Sequence, residues 1–326
     1  MSMVVPPPAQ DCDSIVYDAS DRHRDSMLAL IDTDPGLDDA LALLYAWASA
    51  DLRLAAITTV AGNVPVTAAT RNLLRLVALC GIEPPPIAEG AAAPLARPLV
   101  TATGYHGDDG LGDLPDWPAP AAVLAPQGAP ALIVETARRA GEPLTLIALG
   151  PLTNLALALE REPGALRRVA RVVVMGGAVD VPGNVTPTAE FNIHVDPEAA
   201  ARVLAAGLPL DLVPLDATRQ AVVARSDLER ALQRRPGRLA DRIAAFTRRG
   251  FTADAVPGAS TMVLHDPLAV AAALDPTLVG WEETRLEVAA DGATRRAAGP
   301  VNCRFARTVD APRFLAAFLD RVCPGS

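Results

Sequence analysis

Apolar and polar positions along this chain alternate in blocks. Apolar runs over 27–31, 52–59, 144–149, 172–175 and 210–215 carry no polar alternation, the pattern required of strands buried on both faces. Between them lie longer stretches with helix punctuation. Asp196-Pro197-Glu198 and Asp266-Pro267 each predict a capping carboxylate before a proline in the first turn. Gly81 and Gly207 follow apolar helical stretches as C-terminal stops. Strands alternating with helices predict an α/β fold: an open, doubly wound, mostly parallel sheet with a Rossmann-like core and helices on both faces. Such sheets bind ligands beyond the carboxyl ends of their strands. The polar clusters fall at those ends: Asp32 and Asp34, then Asn63, then Thr153 and Asn154, then Asp216.

Residues 1–25 are rich in Pro, Asp and Ser without a period and read as a flexible N-terminal extension. One domain is expected over 26–326, with the Pro/Ala-rich stretch 117–130 as a loop or lid edge. There is no internal repeat. At 326 residues, half of them hydrophobic and 21% charged, the chain is long enough to bury a substantial core.

The net charge of −9 and the absence of a basic run argue against nucleic acid as a partner. All 29 basic residues are arginine, which excludes a Walker P-loop, a lysine Schiff base and a pyridoxal phosphate site. Cys12, Cys80, Cys303 and Cys323 show no C-x-x-C spacing, so neither a disulfide framework nor a thiolate zinc site is suggested. No basic segment leads into an apolar one at the start, and no run is long enough to span a bilayer. A soluble cytoplasmic protein is expected.

The most informative segment is Ile31-Asp-Thr-Asp-Pro-Gly-Leu-Asp-Asp-Ala40. Asp32, Asp34, Asp38 and Asp39 crowd the turn between a buried strand and an apolar helix, where like charges and burial both oppose ionisation. A bound cation would relieve this. With no lysine, thiolate or histidine nearby, an all-oxygen site favours calcium or magnesium over zinc. The plainer alternative has Asp38 and Asp39 complementing the helix dipole while Asp32 and Asp34 cap the turn. Asp11-Cys12-Asp13 is also a D-x-D sequence, but it lies outside the apolar framework.

The D-x-D-P-G-x-D-D run resembles the N-terminal motif of the nucleoside hydrolase family. The likeness continues through Ala56-Ile-Thr-Thr-Val-Ala-Gly-Asn63, His106-Gly-Asp-Asp-Gly-Leu-Gly112, Ala148-Leu-Gly-Pro-Leu-Thr-Asn154, Val174-Met-Gly-Gly177, Ala189-Glu-Phe-Asn192 and His265-Asp-Pro267, in the family's order. It implies calcium-dependent hydrolysis of the N-glycosidic bond of ribonucleosides to free base and ribose. It further implies a calcium (Ca2+) held by Asp34, Asp39, Asp266 and the backbone carbonyl of Leu149, with Asp38 as the general base that deprotonates a calcium-bound water. Asn63, Glu190 and Asn192, with Asp38 and Asp266, match ribose ligands, and Met175 and Asn184 match residues on the sugar's 5′ side. Glu190 and Asn192 stand two apart, so strand alternation would aim both the same way. His265 matches a histidine that in part of the family protonates the departing base, and His106 lies in a Gly-rich segment resembling a mobile loop over the site. Asp196, locally identical to Asp266, is assigned helix capping only.

A homodimer or homotetramer serving purine or pyrimidine salvage is implied as well. One departure leaves base preference open: the segment from Phe251 to Val263 has no tyrosine, where some members contact the base. Two other readings of the residues stand beside this one. Asp32-Thr-Asp34 could be the nucleophile and acid pair of a haloacid-dehalogenase-like phosphatase, although Pro35-Gly36 and Asp38-Asp39 fit that motif poorly. A non-catalytic calcium-dependent nucleoside or ribose binder would not need Asp38.

Overall fold

The computed structural model describes residues 26–120, 122–253 and 260–322. The expected N-terminal extension, with Asp11-Cys12-Asp13, and Cys323 lie outside the described residues. Among the described residues twelve strands form: β1 (Met27–Thr33), β2 (Leu52–Thr59), β3 (Ile87–Glu89), β4 (Leu144–Ala148), β5 (Arg171–Met175), β6 (Leu210–Val213), β7 (Val222–Ala224), β8 (Thr261–Val263), β9 (Val279–Thr284), β10 (Leu286–Val288), β11 (Thr294–Arg296) and β12 (Cys303–Val309). The five apolar runs are β1, β2, β4, β5 and β6. The other seven lack such runs because they are three residues long or carry polar residues, as in β9.

Eight strands make one sheet in the order β3-β2-β1-β4-β5-β6-β12-β9. Neighbours are parallel throughout except β12 and β9, which pair antiparallel at one edge. Chain order reverses direction between β1 and β4, and this switch point opens a crevice beyond the strand ends.

Strand alternation sends successive side chains to two separate cores. Ile31, Ile57, Ile147, Val173 and Val213 face helices Leu37–Trp47, His265–Leu274 and Ala311–Val322. Leu30, Leu146, Val172, Val174 and Leu212 face helices Ala129–Arg139, Thr153–Arg161 and Pro197–Ala205. Each such side chain removed from water stabilises the fold by about 1.5–3 kcal/mol before entropy is counted. Helix Leu37–Trp47 is buried along its whole length, as its apolar circumference requires, and it packs against helix His265–Leu274.

Both predicted glycine stops adopt left-handed backbone, Gly81 with φ 63° and Gly207 with φ 69°. Asp196 caps helix Pro197–Ala205 by accepting from the Ala199 amide at 2.9 Å. The matching expectation for Asp266 is corrected. Its helix begins one residue earlier, at His265, so the carboxylate lies within the first turn and caps nothing. Asp196 does more than cap: its other oxygen accepts from Thr153 Oγ1 and the Leu95 amide.

Candidate active site

The site is built outward from the end of β1. Asp32 still belongs to the strand, opposite Thr58 of β2. Its Oδ1 accepts from Thr58 Oγ1 at 2.6 Å and from Asn154 Nδ2 at 2.8 Å, while burial pushes its pKa up to about 7. The expected cluster of four neighbouring carboxylates is therefore corrected. Asp32 is held by β2 and helix Thr153–Arg161, and Asp266 joins the remaining three instead. Asn154 also straps the loop ends by bonding the Thr59 carbonyl and the Ala91 amide.

Beyond the strand the chain turns through Pro35-Gly36. Asp34 Oδ2 accepts from the Asn63 amide at 2.6 Å, and Oδ1 is buried without a hydrogen-bond partner. Two glycines make room for this carboxylate. A Cβ at Gly62 would sit 2.1 Å from Asp34 Oδ2, and one at Gly150 would sit 2.5 Å from Oδ1. Asp39 gathers four donors: Thr33 Oγ1 at 2.5 Å, the Asp34 amide at 3.2 Å, the Gly36 amide at 3.0 Å and Asn63 Nδ2 at 2.9 Å. The plainer alternative thus holds in part, since Asp39 does cap its own helix.

Helix packing then brings the Asp266 amide to Asp38 Oδ2 at 2.9 Å, across 228 residues of sequence. Burial, and then Asp39, hold the Asp34 carboxyl well above the usual range. Burial raises Asp266 likewise, followed by Asp39, Asp38 and Asp34 in turn.

Among the described residues no group of three or more His, Cys, Asp or Glu is arranged so that it could hold a metal ion. The donor chemistry of Asp34, Asp39 and Asp266 nevertheless fits a hard cation: crowding and burial that raise the proton affinity of Asp34 and Asp266, a buried Asp34 oxygen without a partner, and no lysine anywhere in the chain.

Above the carboxylates lies a cavity of about 390 Å³. Asp38, Asn63, His106, Leu149, Met175, Asn184, Glu190, Asn192, His265 and Asp266 all border it, whereas Asp34 and Asp39 lie beneath. The ends of β1, β2, β4 and β5 thus deliver Asp38, Asn63, Leu149 and Met175 to one place, where loops and helices Phe191–Val195 and His265–Leu274 add the rest. Asn192 Nδ2 donates to the Leu149 carbonyl at 2.7 Å and the Met175 carbonyl at 3.2 Å.

The strand expected around Glu190 and Asn192 is absent. Glu190 caps the short helix Phe191–Val195, because its carboxylate accepts from the amides of Gly177, Asn192 and Ile193 at 2.9, 2.9 and 3.2 Å. Burial raises its pKa against the pull of those donors. Asn184, on an exposed loop, accepts from the Phe191 amide at 3.0 Å.

His106 is buried rather than exposed on its loop. Its Nδ1 accepts from the Leu37 amide at 3.0 Å, so the imidazole caps helix Leu37–Trp47. Burial pushes its pKa down to about 4. The loop itself is clamped: Arg249 donates to the Tyr105, Gly104 and Thr103 carbonyls, and Arg75 pairs with Asp109 at 3.1 Å.

His265 Nδ1 lies 2.7 Å from Thr218 Oγ1, and burial followed by the Arg219 charge lowers its pKa to about 4. Thr218 and Arg219 escaped the sequence reading. The available signal was their place just past β6, where the polar residues Asp216, Thr218 and Arg219 follow an apolar run. Asp216 itself proves to be a brace, accepting from the Val179 and Asp180 amides at 2.9 and 2.8 Å.

Comparison with known proteins adds independent information. Residues 29–316 match the family described as inosine-uridine preferring nucleoside hydrolase. A pyrimidine-specific ribonucleoside hydrolase, RihA, from Citrobacter koseri is 42% identical over 268 residues, 81% of this chain and 84% of that protein. Among solved structures, the plant nucleoside hydrolase PpNRh1 superposes with a TM-score of 0.85 at 32% identity, covering 91% of this chain and 99% of that one. A purine-preferring ribonucleoside hydrolase from Gardnerella vaginalis gives 0.84 at 30% identity, covering 91% and 98%.

Proposed function

The chain belongs to the inosine-uridine preferring nucleoside hydrolase family, and from that premise we propose calcium-dependent hydrolysis of ribonucleosides to free base and ribose, with Asp38 as the carboxylate that takes the proton of the attacking water. One observation carries the reading: burial and neighbouring carboxylates raise the proton affinity of Asp34 and Asp266 under a cavity of about 390 Å³ bordered by amide, carboxylate and imidazole side chains. Family membership decides against the phosphatase alternative. Operation as a homodimer or homotetramer in cytoplasmic nucleoside salvage belongs to the same proposal.

The residues assigned to calcium are Asp34, Asp39 and Asp266 with the Leu149 carbonyl, an all-oxygen set suited to a hard cation. When bound, a divalent cation lowers the pH at which a neighbouring water loses its proton. Asp38 borders the cavity, where the Asp266 amide holds its Oδ2, and it is the carboxylate assigned to take the water's proton. Asn63, Asn192 and Glu190 orient the ribose hydroxyls, Met175 and Asn184 close the 5′ side, and the surrounding negative charge stabilises an oxocarbenium-like sugar. His265, neutral around pH 7, donates a hydrogen bond to the departing base, as a neutral imidazole can. His106 closes the wall beside it.

A second reading, in which Asp34 takes the proton, draws on its unpartnered Oδ1 and raised basicity. Turnover of inosine, adenosine, guanosine, uridine and cytidine, with and without chelator, tests the reaction. Asp38→Asn is expected to lower kcat by about 10²–10⁴-fold while ribose and calcium still bind. Unchanged turnover would remove Asp38 from the role. Loss in Asp34→Asn alone, with calcium retained, would pass the role to Asp34. A ligand-binding wild type with no turnover would leave the non-catalytic binder.

A further inference from the structure

Of the described residues bordering the cavity only Arg219 carries a lasting positive charge, and the sequence pattern did not point to it. It follows helix Leu215–Thr218 directly, next to the Thr218 hydroxyl that bonds His265. Its guanidinium donates to the Pro182 carbonyl at 2.8 Å and the Gly183 carbonyl at 2.9 Å. These two carbonyls precede Asn184 and Val185, which also border the cavity. Arg219 therefore stands at the mouth, exposed, while Asp38 and Asp266 lie buried at the floor.

A guanidinium has five N–H donors and no acceptor. Two donors are engaged on the loop, and among the described residues no acidic side chain pairs with it, so three remain for a ligand. A ligand group meeting them must accept hydrogen bonds. With the sugar at the carboxylate floor and the base beside His265, whose imidazole bonds Thr218, a planar base would project toward the mouth and the neighbouring Arg219. Resting on the nucleoside hydrolase reading, we propose that Arg219 determines base specificity by hydrogen-bonding the exocyclic carbonyl oxygen at C4 of a pyrimidine or C6 of a purine.

Chemistry favours this role beyond ground-state binding. As the bond from the anomeric carbon to the base nitrogen breaks, the electron pair goes to the base, while water supplies hydroxyl to the sugar and its proton ends on the base. In uracil or hypoxanthine that developing charge spreads in part onto the C4 or C6 carbonyl oxygen, where a fixed cation stabilises it more than it stabilises the substrate. An exocyclic amino group at the same place would set donor against donor. A 5′-phosphate is disfavoured, because Asp38, Glu190 and Asp266 border the same cavity.

The test is steady-state kinetics on two matched pairs, uridine with cytidine and inosine with adenosine, for wild type, Arg219→Ala and Arg219→Lys, each checked for wild-type circular dichroism. Arg219→Ala is expected to lower kcat/KM for uridine and inosine by about 10- to 100-fold, as for a lost hydrogen bond to a charged group, and for cytidine and adenosine by less than about threefold. Arg219→Lys keeps the charge without the fork and is expected to fall between, on uridine and inosine only. An equal loss on all four, appearing as a raised KM, would reduce Arg219 to a loop anchor and overturn the assignment. So would a wild-type preference for uridine 5′-monophosphate over uridine that vanishes in Arg219→Ala. A wild type releasing ribose from none of the four would overturn the reaction itself, which the variants alone would not.

Discussion

Replacing Asp39 with asparagine keeps the shape of the side chain and removes one charge. Its four donors make the consequence calculable. Whichever oxygen becomes the amide nitrogen, a backbone N–H is left facing another donor: the Asp34 amide on one side, the Gly36 amide on the other. A hydrogen bond to a charged group is worth about 1.5–3 kcal/mol, so the apo protein loses roughly that much. It also escapes the repulsion Asp39 exerts on Asp34 and Asp266, which acts in the opposite direction.

These effects oppose one another in the apo protein, and the calcium response is what should separate the two proteins. At a concentration 100 times its Kd, an ion that binds only the folded state stabilises it by about 2.7 kcal/mol. Unfolding entropy of about 2.1 cal/mol/K per residue sums to about 0.7 kcal/mol/K for this chain, so Tm should rise by about 4 °C. In Asp39→Asn the rise at the same concentration is expected to stay below about 1 °C. Scanning calorimetry with chelator and then with stepped calcium, using magnesium as a control, reads both proteins. A wild-type Tm indifferent to calcium, or equal rises in wild type and variant, would refute the metal assignment.

Gly62→Ala should blunt the same calcium response without replacing any ligand, since its Cβ would meet Asp34 Oδ2 at 2.1 Å and displace it; an unaltered response would mean the loop yields. His106→Ala strands the buried Leu37 amide, costing about 1–3 kcal/mol, and should lower Tm by about 1.5–4 °C, a drop partly rescued by glutamine and measurable by thermal melting. Arg296 holds the carboxyls of Asp180 and Glu282 below their ordinary values of 3.8 and 4.5. The stability they add is therefore present above those values and is lost as pH falls through the depressed ones. The Tm gap between wild type and Arg296→Met should be flat from about pH 6 to 8 and close below about pH 4, and a gap that widens on acidification would contradict the pairing.

Much of the fold was legible because its causes are local. Apolar runs such as 144–149 and 210–215 announced central strands, since a strand covered on both faces has no polar side to show. β9 and β12 were silent because one lies at the edge and the other beside it, mixing polar and apolar positions. Among site residues, Asp34, Asp38 and Asp39 were conspicuous through crowding, yet the same crowding wrongly enrolled Asp32. Its position within β1 aims it at Thr58 and Asn154, a matter of strand register that composition does not record. Glu190 and Asn192 were found by motif and given the wrong element, because a two-residue spacing reads as a strand unless a cap is anticipated.

The sequence by itself determined the strand–helix rhythm, the absence of lysine and the acidic turn after β1, because propensity, burial pattern and charge are properties of neighbouring residues. Tertiary structure decided the rest. Asp38 meets Asp266 only because two buried helices pack together, and Asp196 is distinguished from its look-alike Asp266 only by which elements surround each. Arg219 becomes a wall of the cavity only once the loop before Asn184 folds back onto it. These pairings join residues far apart in the chain through packing of apolar faces, and packing is set by shape in three dimensions rather than by order along the sequence.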